Sequence, residues 1–159
     1  PVKTAMEVEY VFEGPMLEEV RALFREYASW LAIDLSFQGF AQELAGLPGE
    51  YAAPHGTLLL GLVGGAAAGC VAVRRREDRA CEMKRLYVRD SFKGQGRGRV
   101  LAEHAIEWAR RAGYERMLLD TLPSMAAAQR LYEDLGFRDV APYRFNPVAG
   151  TRYMELRLG

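Results

Sequence analysis

The sequence predicts a mixed α/β domain of the α+β kind, with a central, mostly antiparallel twisted sheet flanked by helices. Three observations carry that expectation. The hydrophobic period switches repeatedly between two and 3.6, giving the order β-α-α-β-β-β-α-β-α-β-β. A Gly64-Gly65 turn between two apolar runs starts an antiparallel meander. One strand-helix-strand portion in the second half permits a parallel pair at the sheet centre.

The elements follow in chain order. Met6 to Phe12 alternates as a strand, with Val8, Tyr10 and Phe12 on one face. From about Pro15 the period lengthens, and Met16, Val20, Leu23, Phe24, Tyr27 and Leu31 form the stripe of an amphipathic helix. Asp34 or Ser36 is placed to cap a second helix running from Phe40 to Leu47, which Pro48-Gly49 ends. Thr57 to Val63 and Ala67 to Arg75 make a hairpin, and Ala80 to Val88 returns as a third strand. A helix from about Gly98 to Ala112 carries Leu101, Ala105, Trp108 and Ala112 on one stripe and stops at Gly113. Glu115 to Thr121 is a strand, Met125 to Leu135 a helix, and Phe137 to Ala141 and Arg152 to Leu158 the last strands, joined by the loop Pro142 to Gly150.

Residues 1–159 fit one domain, long enough to bury a real core. Hydrophobic residues make up 50% and charged residues 26%, with zero formal net charge, which argues against a general nucleic-acid or membrane-surface binder. Any cation-dependent binding is therefore local. Cys70 and Cys81 lie in apolar strands without a zinc or redox motif, the pattern of reduced core residues in a cytoplasmic protein. No run reaches membrane-spanning length, the N-terminus lacks a signal-peptide plan, and no metal site is visible.

The stretch Glu82 to Arg99 concentrates the chemistry. Gly94, Gly96 and Gly98 alternate with Lys93, Gln95, Arg97 and Arg99 just where a helix starts. A helix N-terminus turns free N–H groups and the positive end of its dipole to that spot. Together these features describe a phosphate cradle; the alternative is an ordinary Gly-rich turn with solvated cations. The spacing is neither a dinucleotide fingerprint nor a Walker loop.

The flanks decide between them. Leu86-Tyr87-Val88 ending a strand, Lys93-Gly94-Gln95-Gly96-Arg97-Gly98 opening a helix, and Leu131-Tyr132-Glu133-Asp134-Leu135-Gly136-Phe137 closing the next one resemble the GNAT superfamily of acetyl-CoA-dependent N-acetyltransferases. Lys93 stands where that motif normally starts with Gln or Arg. The resemblance covers about Gly56 to Leu158 well and implies the GNAT acyl-CoA N-acyltransferase fold. It implies that the pyrophosphate of coenzyme A sits on Gln95, Gly96, Arg97, Gly98 and Arg99, with Lys93 and Gly94 shaping the turn. The pantetheine arm would pair with Leu86, Tyr87 and Val88 as if it were another strand.

Tyr132 matches the family tyrosine that protonates the departing thiolate, and a phenol of pKa about 10 suits that work. Ala128, Tyr132 and Leu135 also share a helix face, so a core role stays open. Glu82 aligns by strand register with the general base of some members. By alternation it shares a face with Lys84, Leu86 and Val88 unless a bulge breaks the parity, and a surface pair with Lys84 or Arg85 is the competing reading. Where relatives carry an asparagine for the pantetheine, this chain has Met125; Ser124 and Thr121 are the nearby polar residues placed to compensate, and the alternative is that the contact is absent.

The resemblance places the acceptor between the first helices and the late loop. Phe37, Phe40, Tyr143, Asn146 and Arg85 are the candidates, with Tyr51 and Arg144 beside them. Their mixture suits a small amine or an amino acid, or else packs the helices. The implied activity is acetyl transfer from acetyl-CoA to a small-molecule primary amine through a ternary complex, with a protein or peptide amine, or a non-catalytic acyl-CoA sensor, as alternatives. A homodimer through Tyr153 to Leu156 and a monomer are both compatible.

Overall fold

The computed structural model describes residues 5–31, 33–36 and 39–159. In chain order the elements are β1 (Met6–Val11), α1 (Pro15–Leu31), α2 (Phe40–Ala45), β2 (Thr57–Val63), β3 (Ala66–Glu77), β4 (Ala80–Val88), α3 (Arg97–Arg111), β5 (Arg116–Thr121), α4 (Ala126–Asp134), β6 (Arg138–Asp139) and β7 (Arg152–Arg157). The strands form one seven-stranded sheet in the order β1-β2-β3-β4-β5-β7-β6. β1 through β4 pair antiparallel, β4 and β5 are parallel, and β7 runs antiparallel to both β5 and β6.

Each face of the sheet has its own core. On one, Leu59, Val71, Val73, Met83, Met117 and Leu119 pack with Leu101 and Ala105 of α3 and Tyr132 of α4. On the other, Leu58, Leu60, Cys70 and Ala72 lie under Val20, Leu23 and Phe24 of α1. Burying each such leucine contributes about 1.5–3 kcal/mol. Helix α3 comes in closely: a Cβ on Gly69 of β3 would stand 2.5 Å from the Tyr87 carbonyl oxygen and 3.1 Å from Leu101 Cδ1. That close approach is why β3 carries a glycine in mid-strand. Both cysteines are buried thiols. Burial pushes Cys70 up and Cys81 up to about 12, which leaves them chemically quiet.

Several expectations are corrected at element ends. α2 spans Phe40–Ala45 with Gly39 at its N-cap, while the Asp34 Oδ1 accepts a hydrogen bond from the Ser36 backbone N–H at 2.8 Å. Asp34 thus closes a local turn and does not cap α2. In α1 the buried stripe runs through Leu17, leaving Met16 exposed; in β1 Val11 is the buried residue and Tyr10 and Phe12 face outward. The α3 face is Leu101, Ala102, Ala105, Ile106 and Ala109, with Trp108 half-buried at its margin. No described helix is long and apolar enough to cross a membrane.

Candidate active site

The site begins with a one-residue insertion in β4. Across from β3, Cys70 pairs with Tyr87 and Ala72 with Lys84, so two steps on one strand oppose three on the other. The extra residue is Arg85, which sits at φ 62°, in the left-handed region. A non-glycine residue there is strained by about 1–2 kcal/mol. The insertion reverses the side-chain parity of the rest of the strand. Cys81 and Met83 face α3, and so do Leu86 and Val88; Tyr87 turns to the α1 side. The simple alternation that put Leu86 and Val88 on the Glu82 face therefore fails, for the reason a bulge always breaks it.

β4 and β5 then separate. Their parallel pairing holds only at Ala80, Cys81 and Glu82 against Arg116, Met117 and Leu118. Beyond Glu82, the edge of β4 that faces β5 has no strand beside it among the described residues, and the gap becomes a cleft. Tyr27 of α1, Lys84, Arg85 and Leu86 of β4, Asp120 of β5, and Met125, Tyr132 and Asn146 line it. A second groove, lined by Trp30, Leu86, Tyr87, Val88, Phe92 and the 93–98 loop, continues from it. Leu86 and Met125 belong to both, so the two form one passage.

At the far end of that passage lies the glycine loop. Gly96 is the N-cap of α3 with φ 75°, and no described side chain caps the helix. A Cβ on Gly96 would meet nothing within 4 Å, so backbone conformation rather than crowding selects glycine here. The cations are held in place. Lys93 Nζ lies 2.9 Å from an Asp90 oxygen and 4.6 Å above the Trp30 ring. Arg97 donates to the Phe92 carbonyl at 3.0 Å. Gln95 and Arg99 are exposed and do not line the groove. Uncapped amides beside cations and an apolar wall suit a phosphate joined to an organic arm.

At the inner end Tyr132 reaches the cleft from α4, its ring edge-on to Phe137 at 5.7 Å. Burial pushes the Tyr132 phenol well up, and Tyr27 and Asp120 act in the same direction. It remains protonated at neutral pH, the state a proton donor needs. The Asn146 Nδ2 donates to Asp120 Oδ2 at 3.4 Å across the cleft. Lys84 is only 6% exposed. Burial lowers its ammonium to about 7; Arg85, Arg74 and Arg144 push the same way and Glu82 opposes them.

Glu82 lies under the cleft floor, enclosed by side chains. It is fully buried and takes no part in lining the cleft. Arg74 Nε donates to its Oε1 at 2.9 Å, while the Tyr143 hydroxyl at 2.7 Å and Arg144 Nη1 at 3.1 Å reach Oε2. Burial alone would raise its pKa, but Lys84, Arg74, the Tyr143 hydrogen bond and Arg144 together bring it below the ordinary carboxylate range. Both of its oxygens already accept hydrogen bonds from side chains, which leaves it without an open face toward the cleft. Nor is it one half of a surface pair with a neighbour on β4. It holds the loop after β6 onto the sheet, through Tyr143 and Arg144.

The other expected acceptor residues divide. Asn146 lines the cleft. Arg85 does too, but its guanidinium is bonded to Glu43 at 2.9 and 3.0 Å, fixing α2 over the bulge. Phe40 stacks under that guanidinium, 5.2 Å from ring centre to Cζ, and Tyr143 is occupied with Glu82. Phe37 lies outside the described residues. Ser124 is exposed in the β5–α4 turn and lines neither the cleft nor the groove; Met125 stands at their junction instead. Lys84 and Asp120 are the charged cleft residues that sequence reasoning missed, and Tyr27 an aromatic one read only as core. Asp120 follows the three apolar residues Met117 to Leu119 in β5, whereas Lys84 stands between Glu82 and Arg85 in β4, so only Asp120 carried a signal of its own.

Comparison with known proteins accords with this geometry. The family model described as "Acetyltransferase (GNAT) family" matches residues 17–137. An uncharacterized N-acetyltransferase of Schizosaccharomyces pombe is 39% identical over 144 residues, 89% of this chain and 88% of that protein. The N-acetylaspartate synthetase of Danio rerio is 34% identical over 100 residues, which are 62% of this chain and 36% of that longer protein. Among solved structures, a GNAT-family acetyltransferase from Staphylococcus aureus aligns with TM-score 0.80 at 18% identity, covering 98% of this chain and all (100%) of that one. A Salmonella typhimurium acetyltransferase solved with its cofactor acetyl-CoA aligns with TM-score 0.76 at 22% identity, covering 98% and 95%. These structural likenesses speak for the fold.

Proposed function

The chain belongs to the acetyltransferase (GNAT) family and is an N-acetyltransferase, and on that premise we propose that it moves the acetyl group of acetyl-CoA to a primary amine of a small molecule, an amine or an amino acid. The observation that carries this reading is the single passage from the uncapped α3 N-terminus to Tyr132. The α3 amides and the 93–98 loop would hold the pyrophosphate, and the unpaired edge of β4 at Leu86 to Val88 would hold the pantetheine arm. Acetyl-CoA supplies an activated acyl thioester. The protein would orient the acceptor against it and offer the Tyr132 proton to the departing sulfur. A β4 backbone N–H near Leu86 or Val88 is placed to donate to the oxyanion formed on attack. Attack is direct, within a ternary complex.

A small acceptor is favoured by enclosure. The inner cleft is floored by buried Lys84 and Arg85 and walled by α1, β5 and the late loop. The relative named N-acetylaspartate synthetase supports counting free amino acids among the acceptors. The test has two stages. Calorimetric titration with acetyl-CoA, free coenzyme A and ATP should give tight binding for the first two and much weaker binding for ATP. Mass spectrometry of products from a panel of amines, amino acids and peptides should then show acetylated small molecules. Acetylation of peptides alone would remove the small-molecule reading; acetyl-CoA binding with no product on any amine would leave a sensor.

A further inference from the structure

We propose that Asp120, at the end of β5, takes the proton from the attacking amine. It shares its cleft with Tyr132, the proton donor to the departing sulfur. This rests on the N-acetyl transfer proposed above and names a further catalytic residue for it.

The reaction needs such a group because an alkylammonium, with a pKa of about 10, has no lone pair to attack with at neutral pH. Glu82 does not serve, since three side chains already bond to its buried oxygens. The carboxylates of the first two helices nearest the sheet are committed as well. Glu43 grips Arg85 with both oxygens, and Glu26 does the same for Arg89. Among the described residues that line the inner cleft, Asp120 is the one carboxylate.

Its position follows from the strand. Met117 and Leu119 pack into the core under α3, so alternation turns Asp120 to the other face, where α1 lies. Its backbone is paired with Tyr153 of β7, while the edge of β5 toward β4 is unpaired beyond Leu118 among the described residues. Asp120 therefore stands where the two parallel strands have just separated. It is half-buried, and its hydrogen bond among the described residues is a long one, 3.4 Å from Asn146 Nδ2 to Oδ2. An ionised carboxylate has about four lone-pair sites, so Oδ1 is open to an ammonium or to a water beside it.

The surroundings suit that work. Tyr27 of α1, Tyr132 of α4, Tyr143 of the late loop and Tyr153 of β7 lie around Asp120. Each phenol is raised by burial first, and the charge of Asp120 adds to it. They keep their protons and do not compete for the amine's. Arg85 is bound to Glu43, and Lys84, lowered to about 7 by burial, is the rival acceptor. The amine nitrogen bonds to the acetyl carbon, the carbon–sulfur bond breaks, and its electron pair leaves on sulfur. An ammonium loses two protons in all. One goes to Asp120 and on to solvent; the other balances the proton that Tyr132 gives the sulfur.

The experiment follows kcat/KM from neutral to alkaline pH on the best acceptor of the amine panel, for the native protein, Asp120→Asn, Asp120→Glu and Lys84→Met. Native protein should give a nearly level profile up to the amine's own pKa. Asp120→Asn should lose about 100-fold to 1,000-fold at neutral pH. It should then recover by about tenfold per pH unit as the amine sheds its proton in solution. Asp120→Glu should restore part of the level profile, and Lys84→Met should keep it. Acetyl-CoA affinity in calorimetry and the thermal midpoint should be unchanged in Asp120→Asn, whose amide is nearly isosteric. A loss equal at every pH, near-native rates in Asp120→Asn, a fall in its acetyl-CoA affinity, or alkaline recovery in Lys84→Met in its place would each overturn the proposal alone. No product from any amine with the native protein would instead refute the transfer reading, and this one with it.

Discussion

The two ends of the passage are built on opposite plans. The outer end is made of backbone. Gly96 at φ 75°, the uncapped start of α3 and the bare edge of β4 come from one short stretch of chain. The inner end is made of side chains from distant places: Tyr27 of α1, Lys84 of β4, Asp120 of β5, Tyr132 of α4 and Asn146 of the late loop. Backbone amides cannot be changed by substitution, so the outer end is robust to most replacements and vulnerable where conformation is special. The inner end can be retuned one residue at a time, which is what acceptor choice requires.

The sharpest way to break this contrast is at its conformational weak point. Gly96→Val should abolish acetyl-CoA binding in calorimetry, because a β-branched residue resists φ 75° and places its bulk at the groove. Its cost in fold stability should be only about 1–2 kcal/mol in thermal unfolding. Retained full affinity would mean that the loop's backbone is not the cradle. Next in size is Tyr132→Phe, which keeps the ring and removes the proton. The expected loss is about 100-fold to 10,000-fold in kcat with KM values unchanged, read by steady-state kinetics. Unchanged turnover would return Tyr132 to the core, where its contact with Phe137 already places part of it.

Glu82→Gln tests whether the inner end depends on a buried hub. Removing one partner of a buried ionic cluster should destabilise the fold by about 3 kcal/mol in urea. Because the folded pKa of Glu82 is depressed, its contribution is present above the usual carboxylate range and lost as pH falls through the folded value. The difference between native and variant should therefore close on acidification. Acceptor KM should rise while acetyl-CoA affinity holds. A kcat that collapses near neutral pH and recovers at high pH would make Glu82 the base after all. The smallest effect expected is Lys93→Ala, which loses an exposed ion pair and the stacking on Trp30. It should weaken acetyl-CoA binding by about 0.5–1 kcal/mol, and less in high salt.

Much of this was legible in the chain. The period changes located the strands closely, with Thr57–Val63 and Ala80–Val88 matching residue for residue. The Lys93–Gly98 loop announced itself because its glycines and cations are adjacent in sequence and because the free amides of a helix start are a local property. Where reasoning stayed local it failed at irregularities. Asp34 satisfied its own turn, and Ser124 offered a hydroxyl at the right distance along the chain but on the exposed side of its turn.

By itself the sequence determined the α+β order, the meander, the single crossover and the glycine loop at a helix start, because hydrophobic period and helix-start chemistry act over a few residues. The tertiary structure alone decided what each charge at the acceptor end does. The bulge at Arg85 reversed side-chain parity, and long-range partners then sorted the polar residues. Glu82 became a clasp for Tyr143 and Arg144, Arg85 was committed to Glu43, and Lys84 and Asp120 were brought into the cleft. A charge takes its role from what surrounds it in a low-dielectric interior, and those surroundings arrive from residues far away along the chain.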